Sequence, residues 1–413
     1  MNELTSRTCL EKRDLSVGFV PLTDCASLVA AHEKGFFEAE GLRVTLHRER
    51  SWASIRDKTA FGVFDAAQML YPMPLASTLG VGSPAVAMQT GLCLSLGGNA
   101  VTVGLALHAE LLEAVGGPEL PEDESAAAVA AVIDRRRRDG RPALTFGCVF
   151  PTSTHHYELR QWLGSAGIDC DLDVRLLIVP PPDMPDSLRE GRIDGFCVGE
   201  PWNSIAVQRG WGHVIMTKHT LWNHGPEKVL GVTRDWAQRH PQTHAALLRS
   251  VIAAAKWCDH PDNREELVHM VAASGYLDVS VEAVRPSLRG DFRRSQQGEA
   301  DEGDGLILFH RYAAGFPWVS HQAWFIRRMI DAGQIDPPAD ADALAASVAQ
   351  PELYRDACAA LGEPYPTIDH KPESVHAEPW QLRQASTPIT MGPDLRLGEA
   401  RPPGARSSGR RRV

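Results

Sequence analysis

The sequence predicts an α/β protein of two similar lobes, followed by a helical C-terminal extension. Two stretches carry this reading. One is Gly62-Val63-Phe64-Asp65-Ala66, running through Ala67-Gln68-Met69-Leu70 to Pro72-Met73-Pro74. The other is Gly191-Arg192-Ile193-Asp194-Gly195, running through Phe196-Cys197-Val198-Gly199 to Glu200-Pro201-Trp202. Each follows an expected helix, over residues 52–61 and 184–190. A single helix-to-strand turn of this kind is ordinary; its repetition, with a proline-containing corner after each, predicts paired lobes. Their strand ends then face one another across a cleft, a preferred place for a small ligand. The third observation is a change of period. Strands and helices alternate up to about residue 232, the βαβ pattern of a mostly parallel sheet. From Arg234 the apolar spacing is helical.

In chain order, residues 15–20 form an apolar strand and residues 21–25 a loop. A helix over 27–34 is closed by Gly35 and Gly41. Leu42, Val44 and Leu46 alternate with Arg43, Thr45 and His47, so this strand is half buried. Ser51 is placed to cap the helix opening at Trp52. Strands over 85–89 and 92–96 lead to Gly97-Gly98-Asn99, a turn that crosses into the second lobe. Helices follow over 105–115 and 125–138. The Arg135-Arg136-Arg137-Arg138 run reads as a solvated helix end that suits the helix dipole. A strand over 144–149 precedes a helix beginning near His155, with Thr154 as its cap. Pro180, Pro181 and Pro182 stop a strand over 174–179. After Trp202 come a helix to about 209, a strand over 213–217 and a loop over 222–228. A strand over 229–232 returns to the first lobe, and helices continue to about Gly362. The domain division is 15–98 for the first part of lobe one and 99–228 for lobe two. Residues 229–375 make the return and the helical C-terminal region, and 390–413 a disordered tail rich in Pro, Gly, Ser and Arg.

Length and composition limit what such a chain does. At 413 residues there is material for two or three domains. With 43% hydrophobic and 23% charged residues the chain is of ordinary globular type. A formal net charge of −10 argues against direct nucleic-acid binding and against an anionic membrane surface, so any anion site is local. No Asp, Glu, Lys or Arg lies between Asp65 and Glu110, but Pro72, Pro74, Pro84 and many Gly, Ser and Thr rule out a spanning helix there. The first dozen residues hold no apolar core of an export signal, so a cytoplasmic location is expected. Eight scattered cysteines without a CxxC pair fit reduced thiols, with no zinc site and no other metal. There is no Walker loop, no G-x-S-x-G elbow and no H-E-x-x-H. The expectation is a binding protein without catalytic residues or cofactor.

Four residues draw attention on their own. His155 stands at a helix N-terminus, where free N–H groups favour an anion; it serves equally well as part of the cap. Lys228 in its Gly-Pro loop has the ordinary alternative of a solvated surface charge. Trp52 at a helix start is more often packing. Asn99 after two glycines is more often a turn residue.

Longer words then become recognisable. They are Gly18-Phe19-Val20-Pro21-Leu22-Thr23-Asp24-Cys25-Ala26, Ala53-Ser54-Ile55-Arg56-Asp57-Lys58, Met69-Leu70-Tyr71-Pro72-Met73-Pro74, Phe196-Cys197-Val198-Gly199-Glu200-Pro201-Trp202-Asn203 and His224-Gly225-Pro226-Glu227-Lys228. Over roughly residues 15 to the 370s the chain resembles the NrtA/NasS family of nitrate-binding proteins. The resemblance implies a two-lobed periplasmic-binding-protein-like fold of type II and a pocket for nitrate or nitrite. Trp52 and His155 look like the pocket tryptophan and histidine. Lys228 looks like the basic residue that separates nitrate binders from bicarbonate-binding relatives, which carry an acid there. Pro181 and Val198 stand where backbone and apolar walls line the site. Asn99 falls where transporter-type members tend to have Gln, the same amide on a shorter arm. Gln68 is added from its place at the end of the lobe-one strand.

The family holds two jobs. Its transporter members feed an ABC permease. Its NasS-type members stay in the cytoplasm and hold a NasT-type, RNA-binding antiterminator until the anion binds. The N-terminus selects the second: a cytoplasmic nitrate/nitrite sensor that releases the antiterminator to switch on nitrate assimilation genes. The alternative is the substrate-binding component of a nitrate ABC transporter. A third job on this fold, an enzyme of thiamine pyrimidine synthesis, uses a cysteine-rich motif not found in this sequence.

Overall fold

Three apolar segments joined by helices open the first lobe. They are β1 (Asp14–Phe19), β2 (Arg43–Arg48) and β3 (Ala66–Leu70), separated by the helices Ala26–Glu33 and Trp52–Ala60. The helical crossovers force parallel pairing, and β1 lies between β2 and β3. β3 is buried at every position, and its one polar residue, Gln68, is satisfied by hydrogen bonds to Val20 and Asp24. Ser51 caps the second helix as expected, its Oγ accepting from the Ser54 N–H at 3.2 Å. The computed structural model describes residues 9–301 and 306–398.

The two strands expected over 85–96 are one, β4 (Met88–Gly97). Gly91 at its middle is not a break. A Cβ there would lie 3.1 Å from Leu353 and 3.2 Å from Leu248, so the glycine admits two helices against the strand. Gly97 and Gly98 have φ of 78° and 94° and turn the chain into β5 (Asn99–Gly104). At Gly97 a Cβ would stand 2.2 Å from the Leu306 carbonyl oxygen.

The second sheet is made of β5 with β6 (Thr145–Cys148), β7 (Arg175–Ile178), β8 (Gly195–Gly199) and β9 (Gly212–Thr217), in the order β7-β6-β8-β5-β9. β6 runs parallel to β7 and β8, while β5 runs antiparallel to β8 and β9. The repeated turn has one physical job in both sheets. The Asp65 carboxylate accepts the Ser16 N–H at 2.9 Å, and its own N–H donates to the Ser16 carbonyl at 2.8 Å. Asp194 does the same with Thr145, at 2.8 Å and 2.7 Å. Each aspartate thus pins the start of its strand to the neighbouring strand. Asp65 also accepts from Trp236 Nε1 at 2.7 Å and is 7% exposed. Asp65→Ala is expected to cost about 1–3 kcal/mol, read as a lower urea midpoint at unchanged slope, because buried donors lose their acceptor.

The Arg135–Arg138 run is only partly the solvated end expected. Arg136 is 8% exposed and meets Glu110 at 2.7 Å, on the neighbouring helix Leu105–Val115. Thr154 is not the cap of its helix either. Ser153 holds that place, its Oγ accepting from His156 N–H at 3.0 Å, and Thr154 is the first helical residue.

The chain returns in β10 (Pro226–Thr233), which inserts between β3 and β4, antiparallel to both. Lys228, expected in a loop, lies inside this strand opposite Leu70 and Ser95. Adjacent charges after Gly-Pro read as loop; here both charges are buried and pair inward. The helices from Arg234 cover the first sheet, with Pro241–Asp259 the longest at 19 residues. They are interrupted by a small ladder of β11 (Phe292–Arg293) with β12 (Ala300–Asp301). Then β13 (Ile307–Leu308) joins the edge of β4, giving a first sheet of order β13-β4-β10-β3-β1-β2. No helix among the described residues is long and apolar enough to cross a membrane.

Toward the end of the described residues lies a hairpin of β14 (Trp380–Leu382) and β15 (Ile389–Met391). Residues 390–398, expected as part of a disordered tail, have fixed partners. The Asp394 carboxylate accepts the N–H groups of Val375 and His376 at 2.8 and 2.7 Å. Arg396 lies 4.2 Å over the Trp222 ring, and Leu397 N–H bonds the Leu221 carbonyl at 2.8 Å. Charge pairing and aromatic contact hold a segment that composition alone assigns to no core. Residues 399–413 of that expected tail lie outside the described residues.

Candidate functional site

The lobes touch where β1 and β8 end. Thr23 N–H donates to the Glu200 carbonyl at 2.8 Å, and Trp202 Nε1 donates to the Pro21 carbonyl at 3.1 Å. Beside this contact lies a buried cluster of charged side chains drawn from both lobes. Lobe one supplies Asp24, from the turn after β1, and Glu227 and Lys228, from β10. Lobe two supplies Asn99 at the start of β5 and Thr154, His155 and Glu158 from the helix Thr154–Gly164. Lys218 follows directly on β9. None of these side chains is exposed.

Glu227 is the centre. Its Oε1 accepts from Lys228 Nζ at 2.7 Å and from Thr154 Oγ1 at 2.5 Å. Its Oε2 accepts from Lys218 Nζ at 2.5 Å and from Asn99 Nδ2 at 2.7 Å. Lys228 reaches on to Asp24 Oδ2 at 2.8 Å, and Lys218 to Glu158 Oε1 at 2.5 Å. Asn99 Nδ2 also donates to Glu158 Oε2 at 2.9 Å. Three carboxylates therefore surround two ammonium groups.

Their ionisation follows from these contacts. Burial pushes the Glu227 carboxyl up, but Lys218 first and then Lys228 outweigh it and hold the group ionised. At Asp24 and Glu158 burial wins over the neighbouring lysines, and both carboxyls rise. Burial lowers Lys228, yet Asp24 and Glu227 raise it by more, so it stays charged. Burial takes His155 down to about 3 against the pull of Glu227, so its imidazole is neutral at pH 7.

Some polar atoms here have no partner among the described residues. Trp52 is 1% exposed with its Nε1 unbonded, and Lys228 Nζ stands 5.4 Å from its ring centroid. His155 Nε2 is 3.5 Å from Glu227 Oε1 and makes no hydrogen bond among the described residues. Asn99 Oδ1 is the third. A buried N–H without an acceptor costs free energy, so the unbonded Trp52 Nε1 beside the Lys228 ammonium group, with the His155 ring at the same Glu227 oxygen, marks a place for an acceptor with negative charge.

Of the residues expected in the pocket, Trp52, Asn99, His155 and Lys228 gather here, and Val198 lies in the same apolar cluster as Trp52. The Val198 carbonyl already accepts from Asn203 Nδ2 at 2.9 Å. Gln68 reaches the cluster only through Asp24; its Oε1 accepts from Val20 N–H at 2.9 Å and its Nε2 donates to Asp24. Pro181 is buried in a short 3-10 turn, where its carbonyl accepts the Met184 N–H. Sequence reasoning passed over Asp24 and Glu227, although both stand in the recognised words. It also passed over Glu158, which lies three residues after His155 on the same helical face. Lys218 carries no local signal at all.

A model described as the NMT1-like family matches residues 9–272. The nitrate import ATP-binding protein NrtC of Synechocystis sp. is 37% identical over 366 residues, which is 87% of this chain and 52% of NrtC. The chain thus spans about half the length of that relative. The nitrate/nitrite binding protein NrtA of Synechococcus elongatus is 33% identical, with 85% of this chain and 79% of the relative aligned. The bicarbonate-binding protein CmpA of Synechococcus elongatus is 30% identical, over 86% of this chain and 80% of CmpA. Among solved structures, the periplasmic nitrate-binding protein NrtA from Synechocystis PCC 6803 superposes with a TM-score of 0.78 at 27% identity, covering 86% and 90% of the two chains. The two-lobed α/β fold is that of the periplasmic binding proteins.

Proposed function

The chain belongs to the NMT1-like family, and we propose that it binds nitrate or nitrite between its two lobes. The observation that carries this is the grouping of Lys228 Nζ with the unbonded Trp52 Nε1 and His155 Nε2. Nitrate is a planar, weakly basic monoanion. It asks for one positive charge and several N–H donors, which these residues supply without a metal. Lys228 also favours nitrate over bicarbonate, since the family resemblance places an acid there in bicarbonate binders.

The role best supported is that of the solute-binding part of a nitrate ABC importer, because the relatives are named for nitrate import and nitrate binding. The second reading is the cytoplasmic sensor that releases a NasT-type antiterminator. It rests on the NasS side of the resemblance, and the relatives' names add no support to it. Calorimetry with nitrate, nitrite and bicarbonate tests the ligand. Heat with the first two and none with the third is expected; no heat with nitrate or nitrite overturns the reading. Co-purification decides the role. A complex with permease components supports the importer, and a complex with an antiterminator that dissociates on adding nitrate supports the sensor.

A further inference from the structure

We propose that the anion enters this site together with a proton, and that the Asp24 carboxylate receives it. The inference rests on the reading of nitrate or nitrite binding at Lys228, and it makes Asp24 a determinant of affinity. The charge count is the reason. Asp24, Glu158 and Glu227 face Lys218 and Lys228 at 2.5 to 2.8 Å in a place closed to water. A monoanion added alone puts another uncompensated negative charge among groups that already hold one carboxylate more than ammonium. A monoanion added with a proton leaves the total unchanged, and buried uncompensated charge is what such a site must avoid.

Geometry selects the acceptor. Glu227 touches both lysines as well as Thr154 and Asn99, so it is the best held as an anion. Glu158 keeps Lys218 and also accepts from Asn99. Asp24 has Lys228 as its one cationic contact, and Lys228 is the cation the incoming anion must share. Among the described residues the other Asp24 oxygen accepts from the neutral amide of Gln68. Backbone of β8 closes over the group, since a Cβ at Gly199 would lie 3.5 Å from Asp24 Oδ2. The remaining titratable neighbours are Cys25, beside it in the chain, His155 across the cluster, and Glu200 on the facing corner. Glu200 is buried with Oε1 unbonded, and burial pushes its carboxyl up to about 7. It is therefore the competing proton acceptor that the test must separate.

The test is calorimetry of the full chain with sodium nitrate, and separately sodium nitrite, from about pH 6 to about pH 9, in two buffers of different ionisation enthalpy. The expected affinity falls toward about tenfold per pH unit at the alkaline end, with uptake of about one proton per anion. Asp24→Asn, a neutral isostere, is expected to flatten the profile and to bind more tightly than wild type at high pH. Glu200→Gln is expected to keep the slope. Wild-type binding with no pH slope and no proton uptake overturns the proton coupling while leaving anion binding standing. A slope that survives in Asp24→Asn and disappears in Glu200→Gln overturns the assignment to Asp24. Absence of heat at every pH overturns both this inference and the nitrate reading beneath it. The buffer comparison needs only the wild-type protein, so it decides the coupling even if a variant does not fold.

Discussion

Lys228→Met is expected to destabilise the fold by about 3–5 kcal/mol and to remove measurable nitrate binding. The lysine has no exposed surface and holds Asp24 at 2.8 Å and Glu227 at 2.7 Å. Removing it leaves Glu227 with Lys218 alone and Asp24 with no cation in contact. Methionine matches the stem and loses the charge, so the loss is electrostatic and not a packing defect. Urea unfolding followed by circular dichroism reads the stability, and calorimetry reads the binding. Lys228→Glu adds a fourth carboxylate to the cluster, and the larger loss is expected there. Unchanged nitrate affinity in a folded Lys228→Met protein takes the anion away from this site.

Lys218→Met is the second change with a large expected effect, again about 3–5 kcal/mol, although no sequence signal marks the residue. Its ammonium bridges Glu158 and Glu227 at 2.5 Å each and also donates to the Pro226 carbonyl at 2.9 Å. The bridge ties β10 of lobe one to the helix of lobe two. This variant has a signature in pH. Glu158 already titrates above its ordinary value of 4.5 because of burial, and loss of Lys218 raises it further. A carboxyl raised in the folded state favours folding while protonated, so its penalty grows as pH climbs above about 4.5. The gap in unfolding midpoint between variant and wild type should therefore be smallest near pH 5 and widen toward pH 8. A gap that is constant with pH contradicts the assignment of the loss to an unpaired carboxylate.

What was readable in the sequence was local. The repeated Gly-x-apolar-Asp turn predicts paired lobes, because turn and strand are contiguous; the partners of its two aspartates, Ser16 and Thr145, lie 49 residues away in each case and come from the structure. Ser51 was readable as a cap, and Gly97-Gly98 as the crossing, for the same reason. Lys228 reads as a loop residue because a strand buried on both faces is expected to be apolar, and one of the two carboxylates that satisfy it, Asp24, lies far along the chain. Arg136 reads as a solvent-facing charge because its partner, Glu110, belongs to the preceding helix. Lys218 and Glu158 are sixty residues apart and meet only after both lobes have formed. Pattern within a window reports burial; it does not report which buried charges find one another.

The most direct test is the structure of the protein crystallised with nitrate. The account predicts one planar anion between the lobes, within hydrogen-bonding distance of Lys228 Nζ, Trp52 Nε1 and His155 Nε2. An anion held elsewhere, with Lys228 still paired to Asp24 and Glu227 and the two ring nitrogens still unbonded, would contradict it.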